Sequence, residues 1–177
     1  MRIAAQEKGK SRHARHSEQM ILFGVANRMF AIPAAAVQEI RSTDSLAGSA
    51  NEIEHSEISK VRHMLERSHQ TYYVVNAGAH FGLPVTRPTL VLILRQLRVA
   101  VLVDRIERMA EIVAIHALPR AFAGDERRWY RGLTYVDDHV IPVIQPAGFL
   151  TADEFRRLDL VTNATSVPHD LAGAFQA

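Results

Sequence analysis

LVLILRQLRVAVLVDRIERM, residues 90–109, is the stretch that decides the fold. It holds two apolar runs, Leu90–Leu94 and Val99–Val103, parted by the link Arg95-Gln96-Leu97-Arg98. Each run is short, rich in Val, Ile and Leu, and bounded by turn-tolerant residues. A helix needs a longer segment, so the pattern predicts a hairpin buried on both faces. Beyond it, through Asp104-Arg105-Ile106-Glu107-Arg108-Met109, apolar residues thin out.

A weaker copy of this stretch lies 69 positions earlier. Ile21, Leu22 and Phe23 fall on Leu90, Val91 and Leu92, and Phe30, Ala31 and Ile32 on Val99, Ala100 and Val101. The same offset carries Val37 and Ile40 onto Ile106 and Met109. It also sets Arg62 on Arg131, Met64 on Leu133, and Val74-Val75 on Val143-Ile144. One constant offset through four blocks predicts an internal duplication, with a unit of about two hairpins. A unit that short cannot bury enough surface alone, so the copies must share a core. The seam between them is then a natural place for a partner.

Composition narrows the class. At 177 residues the chain is one domain or two inseparable small ones. With no cysteine, disulfides, thiol catalysis and thiolate metal sites are excluded. No apolar run approaches the ~18 residues that cross a bilayer, and the first residues lack the order of a secretion signal, so a cytoplasmic protein is expected. Residues 1–16 carry five Lys or Arg against one acid, while the remainder is net acidic. The basic character belongs to a tail, 1–17, which reads as a disordered arm. Without interleaved aromatics, a nucleic-acid role for that arm is disfavoured. Residues 161–177 read as a second tail, leaving 18–160 as the folded domain.

Along that domain, 20–25 and 29–32 form a hairpin around Ala26-Asn27-Arg28, with Asn suited to a positive φ. Pro33 can open a short helix, on which Val37 and Ile40 share a face. Ile58, Val61 and Leu65 recur at helical spacing, which predicts a short helix over 56–65. Residues 71–75, 112–115 and 140–144 read as strands, and 117–131 as an irregular loop carrying Trp129. Thr151 and Glu154 form a capping box for a C-terminal helix, with Leu150 and Phe155 as a hydrophobic staple.

Catalytic patterns are lacking. The nine histidines include no pair at i, i+4 spacing and no zinc pattern, so neither metal nor other cofactor is expected. Ser68-His69 are adjacent, a poor arrangement for a nucleophile and its base. Asp137-Asp138 suit a turn and Asp153-Glu154 a helix cap. A binding module is the better class than an enzyme, with no small-molecule substrate.

Four places then resemble the CheW-like family of bacterial chemotaxis coupling proteins. Val37-Gln38-Glu39-Ile40-Arg41 is similar to its V-x-E-I segment, and Leu102-Val103-Asp104-Arg105-Ile106 to its hydrophobic-V-D-x-V segment. Arg131-Gly132-Leu133 with 137–144 resembles its Gly-leading final hairpin, and 151–158 its closing helix. The likeness spans roughly 18–159 and is more specific in the second half. It implies an all-β fold of two small five-stranded β-barrels around a shared apolar seam, with short helices and a C-terminal helix. It implies a non-enzymatic adaptor that holds chemoreceptor cytoplasmic tips against the regulatory domain of a histidine kinase. Self-association is left open.

Carried over by position, Val37, Glu39, Ile40 and Arg41 would lie near the groove that receives the receptor. In the competing reading Val37 and Ile40 are core and Glu39 a solvated neighbour. Val103 and Ile106 read as core, and Asp104 as the cap of the following turn. The first half departs from the family's G-x-x-N-x-R-G and I-P-V-hydrophobic-D-L. The turn glycines are histidines, the arginine aligns with Ser68, the proline with Tyr73 and the aspartate with Asn76. Arg67, one position away, is the candidate replacement for the arginine, although a one-residue displacement on a strand turns a side chain to the other face. Either this turn is rebuilt or the usual partner contact is lost. The divergence suggests an accessory coupling protein of a non-standard array or a related pathway.

Overall fold

The computed structural model describes residues 17–46, 48–54, 56–84 and 86–165. Most of both expected tails therefore lies outside the described residues. The 69-residue offset organises everything between. The first copy supplies β1 (Glu18–Val25), β2 (Arg28–Pro33), β3 (Val37–Ser42), β4 (Ala50–Glu52), β5 (Val61–Arg67), β6 (Gln70–Asn76) and the short helix α1 (Ala77–His80). The second supplies β7 (Leu90–Leu94), β8 (Val99–Val103), β9 (Arg105–Ile112), β10 (Tyr130–Val136) and β11 (His139–Ile144), then α2 (Ala152–Thr165). The offset maps β1, β2, β3, β5 and β6 onto β7, β8, β9, β10 and β11.

The copies are not side by side; they exchange hairpins. One sheet runs β10-β11-β2-β1-β9 and the other β3-β7-β8-β6-β5-β4. Each thus takes its central hairpin from one copy and its flanking strands from the other. In both, one join between the copies is a parallel ladder, β11 with β2 and β6 with β8, and the other is antiparallel, β1 with β9 and β3 with β7. Parallel neighbours need a long crossover, which the intervening elements provide, α1, the linker and β7 in the case of β6 and β8.

Alternation along the central strands explains the burial. Val91 and Ile93 pack with Leu65 and Val74 inside the six-stranded sheet, while Leu92 and Leu94 face the other way. Their counterparts do the same: Met20 and Leu22 pack with Ile141 and Val143 inside the five-stranded sheet, and Phe23 and Val25 face the seam. The seam joins Phe23, Ile32, Leu92, Val101 and Ile144 in one cluster. A stack of rings crosses it, Phe23 to Phe30 at 5.7 Å, Phe30 to Phe81 at 4.5 Å and Phe81 to Tyr130 at 6.0 Å. The seam, expected as a natural place for a partner, is filled by the chain's own side chains.

Closed barrels were expected, and the ladders give two wrapped sheets. Among the described residues no continuous ladder joins β9 to β10 or β3 to β5. The first gap is crossed by a single bridge, His116 to Leu133. A Cβ at Gly132 would overlap the His116 carbonyl there, which accounts for that glycine. The second gap is crossed by the chain itself, through the 3₁₀ turn Thr43–Leu46 into β4.

Four expectations change, the first being that β9 ends at Ile112, so that 113–115, read as strand, are not. Residues 61–67 are strand β5, not the end of a helix over 56–65: Val61 and Leu65 are buried in different clusters through a bulge between Val61 and His63. A bulge imitates helical spacing by adding one residue to a period of two. After Pro33 the helix is only the 3₁₀ turn Ala34–Ala36, and Val37 already belongs to β3. Asp104 caps no following turn; its carboxylate accepts from the Ala26 N–H (2.7 Å) and the Thr86 hydroxyl (2.6 Å), tying the other copy's hairpin to the linker. Val103 is core and Ile106 packs against it, as expected.

The turn Ala26-Asn27 adopts positive φ at both residues, as a two-residue hairpin requires. The capping box forms in full, with Thr151 N donating to Glu154 Oε2 (2.8 Å) and Glu154 N to Thr151 Oγ1 (3.1 Å). Leu92→Ala should cost about 2–5 kcal/mol, because it opens a cavity in the shared seam. Thr151→Ala should cost only ~1 kcal/mol, the value of one cap. Urea unfolding should rank them so, and should show one transition for both sheets.

Candidate functional site

The candidate site is the edge strand β3. Its ladder to β7 carries a bulge at Gln38: Val37 pairs with Leu94, but Glu39 pairs with Ile93. Residues opposite one another in an antiparallel ladder share a face. Val37 and Ile40, opposite Leu94 and Leu92, therefore both face the seam side. Three residues apart on a regular strand they would point apart; the bulge restores the shared face expected of them. Glu39 and Arg41, opposite Ile93 and Val91, face the interior of the six-stranded sheet at its gap.

Burial separates the two apolar residues. Val37 is 7% exposed and belongs to the seam core, whereas Ile40 is 40% exposed. Val37 is therefore core, as the competing reading has it, whereas Ile40 is not.

The charged residues assemble across the gap. Glu39 forms ion pairs with Arg41 on its own strand and with Arg67 at the end of β5. Arg67 follows Leu65 on the same face, so its displacement from the family position does not carry it away from Glu39. Its Nη1 is shielded from solvent and meets Glu39 obliquely, as an ion pair without a well-aligned hydrogen bond. Hydrogen bonding from Arg41 first, and then the Arg67 guanidinium, hold the Glu39 carboxyl below its ordinary value, while partial burial opposes them. The three side chains carry one excess positive charge, on the face of β3 opposite to Ile40.

Ser68 is not part of this cluster. It forms the two-residue β5–β6 turn with His69, at φ +49° and +61°, and both are exposed. The turn keeps the left-handed conformation that glycine adopts freely, now with side chains bearing the strain. Of the six residues singled out, Glu39, Arg41 and Arg67 come together, Ile40 lies beside them, Val37 underlies them and Ser68 stands apart.

Sequence reading missed two features. Tyr73, in the place of the family's proline, is fully buried, and its backbone N–H donates to Arg98 O (2.9 Å), a bond proline cannot make. Its hydroxyl meets Asp159 and Thr162, anchoring α2. Asn76, in the place of the aspartate, still accepts from Ala79 N (3.0 Å) and caps α1. The other is the counterpart ion pair of the second sheet, Arg108 with Asp137. Arg108 lies 69 positions after Glu39, while Asp137 corresponds to Ser68, one position beyond Arg67.

For catalysis the geometry offers little. His80 is buried among Phe81, Trp129 and Phe149, and burial, then the nearby Lys60 charge, pushes it down to about 3. It stays neutral as a core ring. His63 lines an apolar cleft of about 250 Å³ with Leu46, Val74 and Leu102, away from the Ser68 turn. Among the described residues no group of three His, Cys, Asp or Glu is placed to hold a metal. No described helix is long and apolar enough to cross a membrane.

These features coincide with one family. A CheW-like domain model matches residues 19–154, and the chain belongs to the CheW-like domain family. The crystal structure of the scaffolding protein TtCheW from Thermoanaerobacter tengcongensis superposes with a TM-score of 0.61 at 15% identity. That likeness covers 73% of this chain and 90% of the other, and is a likeness of fold. No curated protein matches the chain.

A depressed carboxyl stabilises the fold above its unfolded value and loses that contribution as pH falls through its folded value. Glu39→Gln should therefore lower Tm at pH 7, and the gap from wild type should close as pH falls below 4.5, the ordinary value. Thermal unfolding followed by circular dichroism reads both; equal Tm values at pH 7 would show that the gap needs no ionic clasp.

Proposed function

We propose that this protein is a non-enzymatic cytoplasmic adaptor of chemotaxis-type signal transduction, coupling chemoreceptor tips to the regulatory domain of a histidine kinase by docking. The observation that carries this reading is Ile40, 40% exposed on an edge strand whose other face carries the paired Glu39, Arg41 and Arg67 charges. An exposed apolar residue on a strand that also carries charges suits protein docking: burial supplies affinity, and the ionic groups set orientation. Membership of the CheW-like family supports the class of partner. Each wrapped sheet, with its gap spanned by an ion pair, then serves as one of two small barrels. The Ser68-His69 turn, beside Arg67 and unlike the family's glycine turn, favours an accessory coupling protein over the principal one of its array.

Purified receptor tip and kinase regulatory domain would be titrated with the full chain by calorimetry. Ile40→Asp should weaken binding of the receptor tip by on the order of tenfold or more, and leave Tm nearly unchanged. In pull-downs from native cell extract, Glu39→Lys should lose the receptor and retain the kinase. Unchanged binding of every partner by both variants would remove β3 from the docking surface. Docking should also survive deletion of residues 1–16 and moderate salt. Nucleic-acid binding through the arm would vanish with the deletion and fall steeply with salt.

A further inference from the structure

The duplication gives two equivalent surfaces: α2 covers one, and Phe81 covers only part of the other. α2 lies across β6 and β8. Phe155 meets the Tyr73 ring at 6.1 Å, Leu158 enters the seam, and Arg98 grips Asp159 through two hydrogen bonds of 2.8 and 2.7 Å. The Arg98 guanidinium also lies 5.6 Å over Tyr73 and 5.5 Å over Phe155. Moved by 69 positions, the residues of this seat become others: Val61 becomes Tyr130, Tyr73 becomes Pro142, Val99 becomes Phe30, and Arg98 becomes Met29, next to Arg28.

Those counterparts line an open groove of about 560 Å³ between β2 and β11 on the five-stranded sheet. Phe81, Leu83 and Val140 complete its apolar wall, and Val140 is 53% exposed. The second copy continues from its equivalent of α1 into α2. The first copy instead turns at Gly82, φ +63°, into the linker to β7, so it sends no helix back over this surface. The charged residues lining the groove are Arg28 and Arg105, with His139 beside them, and no carboxylate is among them. Arg105 is held by Glu107, which leaves Arg28 in the neighbourhood that Arg98 occupies on the covered side.

We propose that this groove seats an amphipathic helix of a partner protein, one presenting two apolar residues a turn apart and a carboxylate beside them. Such a helix repeats the chemistry of Phe155, Leu158 and Asp159 on the covered sheet. The charge fits as well: an acid set against Arg28 completes the pair that Arg98 already makes with Asp159. The inference stands on the duplicated geometry and does not depend on which proteins meet β3.

The probe is a labelled peptide of residues 150–165, LTADEFRRLDLVTNAT, titrated against the full chain by fluorescence anisotropy. Saturable binding is expected, with Val140→Arg and Arg28→Glu each raising Kd at least about tenfold. Both residues are exposed, so their Tm values should match wild type. Placing lysine at the peptide's Asp159 should weaken binding to wild type and restore it to Arg28→Glu. Absence of saturable binding overturns the proposal. So does binding that Val140→Arg leaves unchanged, since the peptide would then be displacing α2 from its own seat. Dimers in sedimentation that Val140→Arg dissolves would also overturn it, by making a second copy the occupant.

Discussion

Exchange of hairpins between the two copies is the constraint on which the structure depends. β1 and β2 complete the sheet of the second copy, and β7 and β8 complete the sheet of the first. Neither copy can then hold a core without the other, because the parallel joins and the seam both need residues from each. Burial on both faces of the central hairpins follows directly. One face of β7 fills its own sheet and the other fills the seam, so Val91, Leu92, Ile93 and Leu94 are all buried. The seam is consequently solid.

At the margins of the sheets charge replaces hydrogen-bonded closure. Each sheet stops short of a continuous ring, and in each the open side is spanned near a hairpin turn by an ion pair, Glu39 with Arg67 and Arg108 with Asp137. Exposed pairs of this kind contribute little to stability, typically ~0.2–1 kcal/mol, and what they supply is position. They also keep an edge strand from pairing with another chain, since charged side chains make poor strand templates. The result is an edge at which Ile40 is displayed while its neighbours hold β3 in place. The sheet gap thereby becomes a surface of defined register.

The same duplication explains why the two sheets are not equivalent to a partner. α2 follows only the second copy, and Arg98, Tyr73 and Asp159 lock it down as one network. Burial and then the bond to Asp159 raise the Tyr73 hydroxyl, and hydrogen bonding from Arg98 lowers Asp159, so the tyrosine stays protonated beside its charged acceptor. The first copy ends in a linker whose role is to cross to β7, and much of the equivalent apolar surface stays open. The two copies thus differ in how they end, one in α2 and the other in the linker to β7.

How much of this was legible follows from the range of each signal. The central hairpin, the 69-residue offset, the Ala26-Asn27 turn and the Thr151–Glu154 box are local patterns of hydropathy, turn chemistry and capping. Each is written within a few residues, and all are present in the fold. The motif residues around Glu39 and Asp137 were legible in the same way. The strand β5 read as helix because a bulge shifts a period of two toward one of three or four, and sequence carries no mark of the added residue. What only the tertiary structure decided is which hairpin enters which sheet, that the Gln38 bulge turns Val37 and Ile40 to one face, and that Arg67 reaches Glu39. Those outcomes join segments tens of residues apart, and pairing at that distance is chosen by the burial of the whole core, not by any stretch that takes part in it.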